Sequence, residues 1–170
     1  MNLWLEHAEK FTKSWAKTIA EFTGAKFSIQ KESTGNDVVA RVRFMMKDGS
    51  TRLVSFLLNE ENYWGIRGMA LDFASFFSIY CVEEPFYLYS YYMFEKNILS
   101  FRLVKRNCVC FCEISTKMPE TWEEANKKWT LWVTQHDNET KIEVEGNMLF
   151  KTIAYIMLLV YLARKGDEDE

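Results

Sequence analysis

The chain has 170 residues, 48% of them hydrophobic, with two prolines, seven glycines and four cysteines. That length fits one domain, which buries roughly 70% of its unfolded surface and folds without disulfides or metal, and the composition excludes a disordered chain. The formal charge of −3 is local: setting aside the four acids of Asp167-Glu168-Asp169-Glu170 leaves 20 acids against 21 lysines and arginines, a near-neutral body with no demand for a polyanionic partner.

The first element is a helix. Trp4, Ala8, Phe11, Trp15, Ile19 and Phe22 recur at spacings of three and four, with Glu6, Lys10, Lys13, Lys17 and Glu21 between them, and Gly24 is placed to cap its end. Three strands follow. Phe27 and Ile29 mark one; Val38, Ala40, Val42, Phe44 and Met46 form the apolar face of the next, with Arg41, Arg43 and Lys47 on the other. Asp48-Gly49 supplies a hairpin turn into Leu53 to Leu58. A second helix is predicted from Ile66 to Tyr80, with Ile66, Met69, Phe73, Phe76, Phe77 and Tyr80 inward, and Pro85 ends it.

Phe86 to Phe94, Ile98 to Val104 and Cys108 to Ile114 then read as strands joined by short polar connectors. They are apolar on both faces. In the first, Phe86, Leu88, Tyr92 and Phe94 point one way and Tyr87, Tyr89, Tyr91 and Met93 the other, where a half-wet strand alternates apolar with polar. A short helix is predicted from Pro119, then a hairpin of Trp129 to Val133 and Lys141 to Glu145 turning at His136-Asp137-Asn138. The last helix, capped by Asn147 and stopped by Gly166, is apolar almost all round over the eleven residues Ile153 to Ala163, short of the about 20 that span a bilayer.

The expectation is an α+β fold in one domain, 1–166, with about eight antiparallel strands, an amphipathic N-terminal helix, a central helix and a hydrophobic C-terminal helix, followed by a solvated, disordered acidic tail, 167–170. The opening order of helix, three strands and helix is similar to that of small homodimeric secretion chaperones, and the resemblance implies a homodimer; no motif accompanies it.

Catalytic chemistry finds no constellation. The histidines are His7, on the scaffold helix, and His136, in a polar turn, with no nucleophile set against either. The carboxylate pairs Glu60-Glu61 and Glu83-Glu84 lack an apolar pocket, and Glu113 stands near a strand end. Cys108, Cys110 and Cys112 are read on one face of a straight strand, spread along a line that closes no tetrahedron, and therefore as core residues. No metal or cofactor is expected. The cysteine spacing and the absence of a leader pattern point to a reducing, cytoplasmic setting. The glycines of Trp64-Gly65-Ile66-Arg67-Gly68 are superficially like an RNA-clamping loop, without the helix that precedes one.

What remains is contact. Tyr87, Tyr89 and Tyr91 form a hydroxyl-bearing aromatic ladder of the kind that builds interface cores. The leading expectation is a non-enzymatic protein-interaction module, an adaptor, inhibitor or chaperone-like protein, homodimeric, that buries the aromatic strands or the last helix against another chain. Two alternatives stand beside it. One is a small-molecule pocket or enzyme between the sheet and the C-terminal helix, lined by Tyr87, Tyr89, Tyr91 and Glu113. The other, less favoured, is nucleic-acid binding through a basic hairpin over 38–58 carrying Arg41, Arg43, Lys47 and Arg52.

Overall fold

The computed structural model describes residues 3–168. The opening apolar stripe forms α1 (Leu3–Thr23), in which Ala8, Phe11, Trp15 and Ile19 are fully buried while Trp4 and Phe22 pack at the margin. The helix stops where Gly24 takes φ 75° and donates its N–H to Ala20 O at 2.9 Å. The positive φ calls for glycine; a Cβ there would meet only the mobile end of the Lys47 side chain, at 2.1 Å from Cε.

Two antiparallel meanders follow, as their short polar connectors require. β1 (Lys26–Thr34), β2 (Asp37–Met45) and β3 (Thr51–Leu58) form a three-stranded sheet in that order. The β2–β3 turn is held by Met46 N–H to Ser50 O at 2.8 Å, with Gly49 at φ 86°. α2 (Tyr63–Tyr80) then leads to a five-stranded sheet in sequential order: β4 (Phe86–Met93), β5 (Ile98–Lys105), β6 (Cys110–Lys117), β7 (Lys128–Gln135) and β8 (Asn138–Glu145). α3 (Trp122–Lys127) sits between β6 and β7, and α4 (Leu149–Glu168) closes the chain after a 3-10 turn at Gly146–Met148. The class is α+β with eight strands, as the periodicities predict.

The helices fill the space between the sheets. Trp15 of α1 meets Phe44 and Phe56 of the three-stranded sheet at ring-centroid distances of 5.6 and 4.9 Å, and its indole N–H donates to Met69 O at 2.8 Å. Phe11, one turn earlier, stacks on Trp129 of the five-stranded sheet at 5.9 Å. Phe73 of α2 contacts Phe101 of β5 and Phe150 of α4 at 6.0 and 5.1 Å. One aromatic core therefore joins both sheets.

Several boundaries differ from the expectation. α2 begins at Tyr63, so Gly65 and Gly68 are helical residues, not a loop. A Cβ at Gly65 would press on Leu58 and Trp122 at 3.0 and 3.2 Å, so these glycines serve close packing. α3 starts at Trp122, not at Pro119, because Thr121 caps it: its hydroxyl accepts from Glu124 N–H at 3.1 Å. α4 runs through Gly166 to Glu168, since an interior glycine costs a helix only about 1 kcal/mol. Asp167 and Glu168 thus belong to the helix, and the rest of the predicted tail, Asp169 and Glu170, lies outside the described residues.

Candidate protein-contact surfaces

Alternation along the five-stranded sheet gives it two unlike faces. The inner face carries Phe86, Leu88, Leu99, Phe101, Leu103, Cys112, Ile114, Trp129 and Leu131, all buried against the helices. On the outer face the register aligns two rows. Tyr89 stands beside Arg102, then Glu113, then Thr134; Tyr91 stands beside Ser100, then Ser115, Trp132 and Lys141.

This outer face is only partly covered: Ser100 is buried within it, and Leu71, Ser75 and Ile79 of α2 line a cleft with Tyr87 and Tyr89 at its edge. Tyr89 is 38% exposed and Tyr87 and Tyr91 are half-buried. The rings of Tyr89 and Tyr91 lie 6.4 Å apart. The Arg102 guanidinium lies 4.7 Å over the Tyr91 ring, its Nε pairs with Glu113 Oε2, and the Tyr91 hydroxyl donates to the same oxygen at 3.3 Å. Burial alone would lower the Arg102 pKa, but hydrogen bonds with Tyr89 and Glu113 outweigh it and hold the group further up. At the rim, Tyr87 Oη accepts from Arg106 Nη2 at 3.1 Å, and Arg106 pairs with Glu84 at 2.8 Å. The result is a sheet face of aromatic rings with a fixed cation and carboxylate at its centre.

That geometry corrects the pocket expectation. α4 packs on the inner side, where Tyr161 meets Phe86 at 5.5 Å, whereas Tyr87, Tyr89, Tyr91 and Glu113 stand on the outer side. They do not line a space between the sheet and the last helix. That space is filled by Phe150, Ile153, Met157 and Tyr161, each buried.

The second uncovered surface is α4 itself. Leu149, Phe150, Ile153, Ala154, Met157 and Tyr161 face the core, and the opposite side leaves Tyr155, Leu159 and Leu162 exposed at 51, 66 and 59%. By length and composition alone the segment Gly146–Asp167 is long and apolar enough to cross a bilayer, which the eleven-residue count understated. Its core-facing side is nevertheless packed on protein.

The basic hairpin does not assemble. Arg41 and Arg43 lie on the outer face of the three-stranded sheet, where Arg41 is paired with Glu32 at 2.5 Å. Arg52 is the cross-strand partner of inward-facing Phe44 and shares its face; its guanidinium lies 4.2 Å over Phe76. Asp72 of α2 interacts with it electrostatically, although burial dominates and raises the Asp72 carboxyl pKa. Lys47 lies beyond the end of β2, folded over Gly24. Of the four bases, only Arg41 and Arg43 share a surface.

The cysteines also differ from the reading. A register shift between Leu103 and Val104 bulges β6, so Cys112 is buried opposite Leu103 while Cys110, opposite Val104, is exposed. Cys108 precedes the strand in a turn at φ 67°, exposed. Burial pushes Cys81 and Cys112 up to about 11. Among the described residues, no three His, Cys, Asp or Glu side chains converge as metal ligands.

One cluster went unread in the sequence. Trp64, Tyr92 and Phe94 surround the Arg67 guanidinium at 4.8, 5.8 and 5.1 Å. With Tyr63 and Asn97 they line a cavity of about 330 Å³. Its signal was the i, i+3 spacing of Trp64 and Arg67 on the first turn of α2, but Tyr92 comes from the far end of β4 and Phe94 from the turn after it, and only the fold joins them. Trp64 and Phe94 are 61 and 65% exposed, a cation–aromatic group at the surface.

No family model, curated protein or solved structure matches the chain.

Proposed function

We propose that this protein is a non-enzymatic protein-interaction module, a homodimer that uses one uncovered apolar surface to bind its own copy and presents the other to a second protein. The observation that carries the reading is the outer face of the five-stranded sheet. Tyr89 is exposed and Tyr87 and Tyr91 are half-buried around an ordered Arg102–Glu113 pair. Tyrosine, tryptophan and arginine dominate binding energy at protein interfaces: the two aromatics offer large contact area at little rotamer cost, and arginine offers a planar fork of hydrogen-bond donors. Exposed Cys108 and Cys110 thiols accord with a reducing, cytoplasmic setting.

Two measurements test it. Light scattering at micromolar concentration is expected to give about twice the 20.2 kDa chain mass; a monomer removes the homodimer. Crosslinked capture with the wild type and with Tyr89→Glu is expected to yield a protein that the variant loses. Identical captures overturn the assignment of the sheet face.

A further inference from the structure

We infer that the outer stripe of α4 pairs with the same stripe of a second copy, the two helices running antiparallel. The inference rests on the homodimeric reading above and assigns its surface.

The residues on the solvent side of α4 and its preceding turn are Met148, Thr152, Tyr155, Leu159 and Leu162. Their spacings of four, three, four and three are those of the a and d positions of a helix-pairing seam. Four of the five are apolar and between 42 and 66% exposed, with Thr152 half-buried. The core-facing set lies on the opposite side, so apart from the packing of Tyr155 on Phe22 the seam is surplus to the fold of one chain.

Charge selects the occupant. α1 runs alongside α4 in the same direction: Ser14 Oγ donates to Asn147 O at 2.7 Å, Lys151 pairs with Glu21 at 3.4 Å, and Phe22 meets Tyr155 at 5.0 Å. The N-terminal end of the seam therefore borders a groove of about 300 Å³ lined by Lys10, Lys13, Lys17 and Lys151, with Glu21 its one acid. Among the described residues, Lys10, Lys13 and Lys17 take part in no ion pair. At the other end the bases are already engaged, Lys165 with Glu83 at 2.6 Å and Arg164 against Phe111 and His136. Asp167 is exposed there.

The seam thus borders lysines without ion pairs at one end and the exposed Asp167 at the other. A twofold axis near Tyr155 sets the lysines of each copy toward the partner's Asp167, and every favourable contact occurs twice. A parallel pair would place like charges together.

Sedimentation equilibrium on the full chain tests this. The wild type is expected to dimerise at tens of micromolar, and more weakly in about 1 M salt, where charges are screened within roughly 3 Å. Leu159→Glu, at a position open to water and checked for folding by circular dichroism, is expected to be monomeric. Lys13→Glu/Lys17→Glu is expected to weaken the dimer by about tenfold or more, since each altered contact counts twice. Adding Asp167→Lys is expected to restore most of the loss. A dimer that survives Leu159→Glu but dissolves with Tyr89→Glu overturns the α4 seam and leaves the interaction-module reading standing on the sheet. A charge reversal that Asp167→Lys does not repair overturns the antiparallel arrangement. A wild type that stays monomeric overturns the seam and the homodimer together.

Discussion

The two sheets of this protein face the same problem and solve it differently. Each packs one face on the helices and turns the other to water. On the three-stranded sheet the outer face scatters Met45, Leu53 and Leu57, 53, 58 and 49% exposed, among Arg41, Arg43 and polar neighbours. Scattered exposed apolar residues are ordinary. On the five-stranded sheet the outer tyrosines are adjacent, and a guanidinium and carboxylate are pinned among them. Exposed apolar area alone does not distinguish the two; organisation of polar groups within aromatic surroundings does. A contact surface is read from that organisation.

The largest expected effect lies beneath the comparison, in the shared core. Phe73→Ala removes contacts to Phe77, Phe101 and Phe150 and is expected to cost about 3–5 kcal/mol in urea unfolding. Leu53→Ala on the outer face of the smaller sheet should stay within about 0.5 kcal/mol. If the two cost the same, the division into packed and surplus faces is mistaken.

Next in size is Tyr89→Glu, expected to lower affinity for a captured partner by more than about tenfold while leaving the unfolding midpoint nearly unchanged. Arg43→Glu on the other sheet is the matched control and should bind normally. Equal losses would erase the distinction between the sheets.

The buried thiols sharpen it in a third way. Cys81 and Cys112 have folded pKa values raised to about 11 by burial, above the roughly 8.5 of a free cysteine. A raised acid keeps its proton in the folded state, so their contribution is fully present below the unfolded pKa and is lost as pH rises toward 11. Stability should therefore fall between about pH 8.5 and 11, less steeply in Cys112→Val than in the wild type. Parallel slopes would contradict burial under the five-stranded sheet. In native protein at neutral pH, thiol reagents should modify Cys108 and Cys110 ahead of Cys81 and Cys112.

The smallest effect belongs to the Arg102–Glu113 pair. It is partly exposed, with side chains 37 and 28% accessible, so Glu113→Gln should change stability by less than about 1 kcal/mol. Its expected consequence is for binding. A large stability loss would make the pair structural and not part of a presented surface.

Much of the architecture was legible because it rests on local period. The stripe of α1, the inward set of α2 apart from Tyr80, which lies exposed at the helix end, and the doubly apolar β4 follow from spacing alone, and Gly24 and Asp48-Gly49 mark their turns by backbone chemistry. What spacing could not supply was register. Arg52 reads as one more base of the hairpin until its pairing with Phe44 places it on the inner face. The β6 bulge separates cysteines that a straight strand would align. The Arg67 cluster needs α2 and β4 brought together, and the seam on α4 emerges only once the core side of an all-apolar helix is known. The tyrosine ladder was visible early because adjacent alternation needs no partner strand to be seen.

The most direct test is hydroxyl-radical footprinting of the full chain across a dilution series. The account predicts that Tyr155, Leu159 and Leu162 become protected as concentration rises through tens of micromolar, while Tyr89 stays reactive until a second protein is added. Reactivity at α4 that is the same at every concentration, or protection confined to the tyrosine face, would contradict it.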